Sequence, residues 1–295
     1  MILPAPVYRD FVLPALLDWR KAGRKTALLT LISTTGQSPR PIGSQLAVCE
    51  TGDACGLITG GCAEGTLVLD ALDAMRLGEN RTELYGEGSR FKDITLPCGS
   101  GLKVFFDVRI SDAEIGRIIA NREARQPASL VISAPAEPVY TGHYLPACRL
   151  VVIGQGPIVE ALAQLAPALE IELDIWSPDY ALAVRLNGHH LTSPQDFDIT
   201  LDRYSAVATI FHDHTYEPPV LLKVLRSESF FIGALGSRKA QARRLETLKD
   251  AGVEADALKR IHGPIGLDIS AASPPEIALS IMAQVVEQWR RKVAA

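Results

Sequence analysis

Six residues, Gly60-Gly61-Cys62-Ala63-Glu64-Gly65, bring a thiol, a carboxylate and three glycines to the point where a short apolar run (56–59) meets a segment of helical periodicity (66–77). A strand running into a helix there places Cys62 near the helix's first turn, where unpaired N–H groups and the macrodipole favour a thiolate. Gly60 and Gly61 leave the backbone open to close approach by a ligand, and Glu64 can reach back to cap the turn. The competing reading is a tight turn beside a small buried cysteine. A second cysteine keeps similar company: Leu96-Pro97-Cys98-Gly99-Ser100-Gly101 sets Cys98 in a turn before a strand at 102–108. In the hydroxyl-rich loop 34–43, Ser38 offers a hydrogen bond and Arg40, stiffened between Pro39 and Pro41, offers a planar fork to phosphate or carboxylate. A solvated turn would have the same composition.

The second half carries different chemistry. Gly154-Gln155-Gly156 follows the clearest buried strand of the chain (149–153) and precedes a helical stretch (158–169) and a further strand (170–176). This is a Rossmann-type βαβ opening, whose backbone N–H groups and helix N-terminus bind phosphate. The third glycine of the dinucleotide fingerprint is replaced by Val159, and Ser177 stands where a ribose-binding acid is expected, with Asp179 two residues later. His212-Asp213-His214 ends a strand at 206–211, on the edge where open parallel sheets bind ligands. Successive residues on a strand point to opposite faces, so Asp213 does not share a face with the two histidines, and ordinary loop hydrogen bonding is a simpler reading than a shared metal. Gly236-Ser237-Arg238 closes a strand at 230–235: Ser237 is a natural N-cap for a helix at 239–251, and Arg238 brings a fixed positive charge to the same edge. His262 belongs to a loop at 261–268 made rigid by two glycines and a proline.

The elements that must position these groups follow from periodicity. An amphipathic helix at 8–21 stops at Gly23, and strands at 26–33, 44–48 and 56–59 lead to the Cys62 turn. A weak strand at 82–86 follows, then a helix opened by the capping box Ser111-Asp112-Ala113-Glu114 and a strand at 129–133. Three prolines and a glycine in 135–146 mark a boundary. A last helix, opened by Ser273-Pro274-Pro275-Glu276, carries Ile277, Ile281, Val285 and Trp289 on one face. The expected fold is α/β: an N-terminal mixed α/β domain at 1–140, carrying Cys62 and Cys98, then a Rossmann-like, doubly wound parallel-sheet domain at 147–295.

Composition narrows the functions. At 295 residues two domains are expected, and 47% hydrophobic residues give each an ordinary core. A net charge of −4 with no long Lys/Arg run gives no reason to expect nucleic acid as a partner. No stretch approaches the ~18 apolar residues of a membrane span, and residues 1–6 lack a basic region followed by an apolar core, so the reading is cytoplasmic with no membrane partner. Five cysteines without repeated spacing argue against a disulfide framework and a structural zinc, and leave reactivity as their interest.

Side by side, these segments resemble the XdhC/CoxI family, the accessory proteins of xanthine dehydrogenase and related molybdenum hydroxylases. In the first half the resemblance rests on residues 33–43, on Gly60-Gly61-Cys62-Ala63-Glu64 and on Leu96-Pro97-Cys98-Gly99; in the second it rests on Gly154-Gln155-Gly156, His212-Asp213-His214, 233–238 and 261–269. It implies a molybdenum cofactor chaperone that holds the cofactor, as molybdopterin or its dinucleotide form, while a cysteine desulfurase installs the terminal sulfido ligand, and then delivers it to an apo-xanthine dehydrogenase-type molybdoenzyme. In that role Cys62 and Cys98 ligate molybdenum or shelter its sulfido group. Gly60, Gly61, Glu64, Ser38, Arg40, Gly154, Gly156, His212, His214, Gly236, Ser237, Arg238 and His262 complete the cofactor-binding set, with the arginines and glycine loops on phosphate. The chain departs from the family pattern at Ser100, commonly glycine, and at Trp176-Ser177-Pro178, commonly Val-Asp-Pro. The Pro-rich crossing suggests a cleft that a second copy closes, hence a homodimer. Two alternatives remain: an NAD(P)-dependent oxidoreductase using His212 or His214 as proton donor, and a metal-dependent hydrolase built on His212, Asp213, His214 and His262.

Overall fold

The computed structural model describes residues 8–87, 89, 101–133, 139–211 and 216–294; Cys98 with its neighbours, and His212, Asp213 and His214, lie outside them. The chain divides into two compact units, Met1–Pro146 and Ala147–Ala295.

In the first unit, strands β1 (Thr26–Thr35), β2 (Gln45–Cys49), β3 (Ala54–Gly56), β4 (Arg81–Gly86) and β5 (Gly101–Asp107) form an antiparallel sheet in the order β3-β2-β1-β5-β4. The central strand β1 is buried on both faces, so its period of two feeds two cores. Ala27, Leu29 and Leu31 pack with Leu67, Ala71 and Met75 of helix α2 (Glu64–Leu77). Leu28 packs with Leu13 and Leu16 of α1 (Leu13–Lys21) and with Ile115 and Ile118 of α3 (Asp112–Glu123). Each such leucine contributes about 1.5–3 kcal/mol by leaving water.

Three expectations change here. Helix α1 begins at Leu13 rather than at residue 8, with Pro14 in its first turn, where the missing N–H has no partner to lose. Strand β7 (Tyr140–Tyr144) pairs antiparallel with β6 (Ala128–Ile132), so the stretch read as a bare crossing holds the last strand of the first unit, and the division falls after Pro146 rather than at residue 140. The apolar run 56–59 is a strand only to Gly56, whose φ of +103° and lack of room for a side chain (an added Cβ would sit 2.3 Å from Gln45 O) turn the chain away. Ile58 and Thr59 are buried in a turn instead.

The second unit is the doubly wound sheet. Strands β8 (Arg149–Gly154), β9 (Glu172–Ser177), β10 (His189–His190), β11 (Ser205–Ile210), β12 (Phe231–Ala234) and β13 (Ile261–His262) are parallel and ordered β10-β9-β8-β11-β12-β13. In chain rank this is 3-2-1-4-5-6, the order of a dinucleotide-binding Rossmann sheet, with its switch point between β8 and β11. Leu150 and Val152 pack under α4 (Pro157–Leu165) and α9 (Pro274–Ala294), while Val151 and Ile153 pack under α6 (Glu217–Leu225) and α7 (Arg238–Asp250).

Candidate functional site

The Cys62 turn is organised by a carboxylate. Glu64, the first residue of α2, is 3% exposed, and its Oε1 accepts from Ile58 N (3.0 Å) and Thr59 N (2.7 Å). Its Oε2 accepts from Gly61 N at 2.8 Å and from Thr59 Oγ1, which in turn accepts from Ala63 N at 2.9 Å. Burial opposes the charge on Glu64, but the bonds from the Thr59 hydroxyl and the three amides outweigh it and hold the carboxyl below its ordinary range. Glu64 thus reaches back, yet onto the turn rather than onto the helix's own first amides, so the N–H groups of Ile58, Thr59 and Gly61 already hold an internal anion. Gly60 and Gly61 have φ of +74° and +106°, which glycine adopts without strain, and an added Cβ on Gly61 would meet open space. The turn so fixed presents Cys62 one residue ahead of the N-cap, Ala63. Cys62 is exposed, whereas Cys49, Cys55 and Cys148 are buried in the cores.

Loop 36–43 lies against this turn: a Cβ added to Gly60 would stand 3.5 Å from Pro39 Cβ. Its polar groups bond within the unit. Ser38 Oγ donates to Arg40 O at 2.7 Å and accepts from Arg40 N at 3.4 Å, closing its own turn. The Arg40 guanidinium donates to Asp10 and, weakly at 3.4 Å, to Tyr8 Oη, and it stacks over the Tyr8 ring, 5.4 Å from its centroid. Burial pulls its pKa down, but Asp10 and Tyr8 outweigh burial and raise it, so Arg40 stays a cation. Its buried Nε has no hydrogen-bond partner among the described residues.

In the second unit the candidate residues that are described lie at the carboxyl edge of the sheet. Gly154 ends β8 so close to β11 that an added Cβ would lie 2.1 Å from Ile210 O, while Gly156 (φ +93°), the N-cap of α4, faces open space. The first gives close strand packing and the second leaves backbone open to a ligand. Val159, in place of the third glycine, is fully buried in the core. Ser177 ends β9, and the Asp179 carboxylate accepts from Leu182 N at 3.1 Å as the N-cap of α5 (Tyr180–Arg185). Ser237 caps α7 through Ala240 N at 3.2 Å. Arg238 and Lys239 then open that helix with no acid in its first turn, two exposed cations against the macrodipole. His262 ends β13, its ring centroid 4.9 Å from that of Phe231, and burial lowers its pKa against the opposing pull of Glu287. Among the described residues no group of three His, Cys, Asp or Glu side chains is placed to hold a metal ion.

One group went unread in the sequence. Arg244 of α7 forms a bidentate pair with Glu217 (Nε to Oε2 2.9 Å, Nη2 to Oε1 3.0 Å), both side chains 4% exposed. Thr209 Oγ1 donates to Glu217 Oε1 at 3.0 Å, Arg244 Nη2 to Leu235 O at 2.6 Å, and Gln241 Nε2 to Ile261 O at 3.1 Å. The network therefore fixes the ends of β11, β12 and β13, which carry Gly236, Ser237 and His262. The signal was present: Gln241, Arg244 and Leu248 recur at helical spacing, a buried stripe whose first two members are polar.

Comparison with known proteins adds the lineage. Residues 19–86 match the family described as XdhC and CoxI, and residues 150–285 match the XdhC Rossmann domain. The chain is 30% identical over 279 residues, 90% of its length and 83% of the relative's, to the molybdenum cofactor insertion chaperone PaoD of Escherichia coli K12. It is 26% identical over 156 residues to a probable xanthine dehydrogenase component of Bacillus subtilis 168, covering 50% of this chain and 45% of that one. The crystal structure of a xanthine dehydrogenase from Bacillus halodurans shares the fold with a TM-score of 0.80 at 21% identity, over 95% of this chain and 96% of that one. With its segments, its fold and this extent of identity, the chain belongs to the XdhC and CoxI family.

Proposed function

We propose that this protein is a molybdenum cofactor insertion chaperone serving a xanthine dehydrogenase-type molybdenum hydroxylase. The observation that carries this reading is the single exposed thiol among the described cysteines, Cys62, held out by a rigid turn in a chain similar over 90% of its length to an insertion chaperone. The cofactor is cargo. Thiolate is a soft donor suited to molybdenum, and the Glu64 oxygens, bonded to the turn, do not compete as hard ligands. The second unit supplies phosphate chemistry of its own, with the open backbone at Gly156 and the cations opening α7. Holding the cofactor during sulfuration by a cysteine desulfurase, a second thiol from Cys98, phosphate contacts from Arg40 and a cytoplasmic homodimer complete the proposal. Among the described residues no helix is long and apolar enough to cross a membrane.

The oxidoreductase reading has less support, because β9 ends in Ser177 where a ribose-binding acid is expected, and Asp179, two residues on, caps α5. One experiment separates the two. The purified protein is mixed with molybdenum cofactor, passed through gel filtration, analysed for metal and then given an apo-hydroxylase. The expected result is near-stoichiometric molybdenum that leaves this protein as hydroxylase activity appears; no retained molybdenum, together with saturable NADH or NADPH binding, overturns the proposal.

A further inference from the structure

Far from the Cys62 turn, the first unit has a cleft of about 480 Å³ lined by Arg20, Arg24, Lys25, Arg109 and Asp112, with Met75, Val108 and Ile110 as an apolar wall. Lys25 directly precedes β1, and loop 36–43 follows that strand's other end, ten residues or about 30 Å away. Four cations less one carboxylate give a formal +3 in one concavity of a chain whose net charge is −4. Part of that charge is structural. Arg20 donates to Thr26 Oγ1 (2.8 Å), Ile110 O and Asp112 (both 2.7 Å), and Arg109 Nε donates to Gly78 O at the end of α2 (2.8 Å). Helix C-termini contribute about −0.5 each, and Glu50 lies 3.8 Å from Arg24, so with those of α1 and α2 roughly +1 is left unanswered.

The remainder is solvent-facing. Arg24 reaches Glu50 only at 3.8 Å, with half of its side chain exposed. Lys25 is exposed and has no ion pair or side-chain hydrogen bond among the described residues. Guanidinium forks and an ammonium recognise phosphate oxygens, and the apolar wall suits an organic body. The volume lies within the ordinary range of small-molecule sites, about 300–1,000 Å³.

We infer that this cleft is a second binding site, for an organic phosphate of nucleotide size, separate from the Cys62 turn. The test is calorimetric titration of the full chain with ATP, inorganic pyrophosphate and uncharged adenosine in magnesium-free buffer. ATP is expected to bind saturably, pyrophosphate more weakly, and adenosine not at all. Lys25→Glu, on an exposed side chain whose folding is checked by circular dichroism, should weaken ATP at least tenfold, whereas the same charge change at the exposed Lys249 should leave it within twofold. Pyrophosphate matching ATP identifies the ligand as a bare phosphate and overturns the organic part of the inference. Absence of saturable binding by either anion, adenosine binding as tightly as ATP, or equal losses in the two variants overturns the site.

Discussion

Both units place a buried glutamate at the first residue of a helix, Glu64 in α2 and Glu217 in α6, each 3% exposed, and neutralise it in different ways. Glu64 is met by three backbone amides and a hydroxyl of its own turn, so its partners are dipoles from a few residues away. Glu217 is met by a full charge, Arg244, twenty-seven residues later. The first solution stiffens one local turn and leaves its neighbour Cys62 in solvent. The second cross-links three strand ends and so shapes an edge rather than a single group. The contrast predicts that the second unit loses more when its pair is broken.

The largest effect belongs to Arg244. Arg244→Met leaves Glu217 buried without its counter-charge and should destabilise the second unit by about 3–5 kcal/mol in urea unfolding. Adding Glu217→Leu should recover at least half of that, because the stranded charge is what costs most. A double variant no better than the single one breaks the comparison.

Glu64→Gln comes next. Its NH2 would face a donor where Oε2 now accepts, and losing bonds to a charged acceptor should destabilise the first unit by about 3 kcal/mol. The sign of the pH dependence sharpens the result. Because the folded carboxyl lies below its ordinary value of 4.5, Glu64 contributes stability above that pH, and the contribution is lost as pH falls through the folded value. Wild type should therefore lose more stability than Glu64→Gln between about pH 5 and pH 3. Parallel curves would detach the turn's stability from the carboxylate's charge.

The smallest effect is that of His262. Burial lowers its folded pKa below the ordinary 6.5, so the unfolded chain takes up the proton first and stability falls as pH drops below that value. His262→Phe should flatten this decline, by less than about 1 kcal/mol between pH 7 and pH 5.5. An unchanged slope would assign the decline to other groups.

The Rossmann unit was legible because its short apolar strands and glycine turns are local signals, and strand order follows once those are placed. The Cys62 turn was legible in its residues but not in its bonding: an apolar run such as 56–59 reads alike whether it is a strand or a buried turn, and only the three-dimensional position of Glu64 decides. Strand β7 was hidden because Tyr140–Tyr144 is short, holds a glycine and is stabilised by pairing with β6 rather than by its own periodicity. The pairing of Glu217 with Arg244 spans elements that sequence spacing does not relate. Ser38 and Arg40 suggested an anion by residue type, and the sequence could not show that the hydroxyl also closes its own turn and the fork also bonds Asp10.

The central claim is that the exposed thiol of Cys62 is the point at which cargo is held. Molybdenum content after gel filtration, measured on Cys62→Ala beside the buried-site control Cys49→Ala, tests it directly. The account predicts at least a tenfold loss of bound metal in Cys62→Ala with near wild-type content in Cys49→Ala; equal retention in both variants would contradict it.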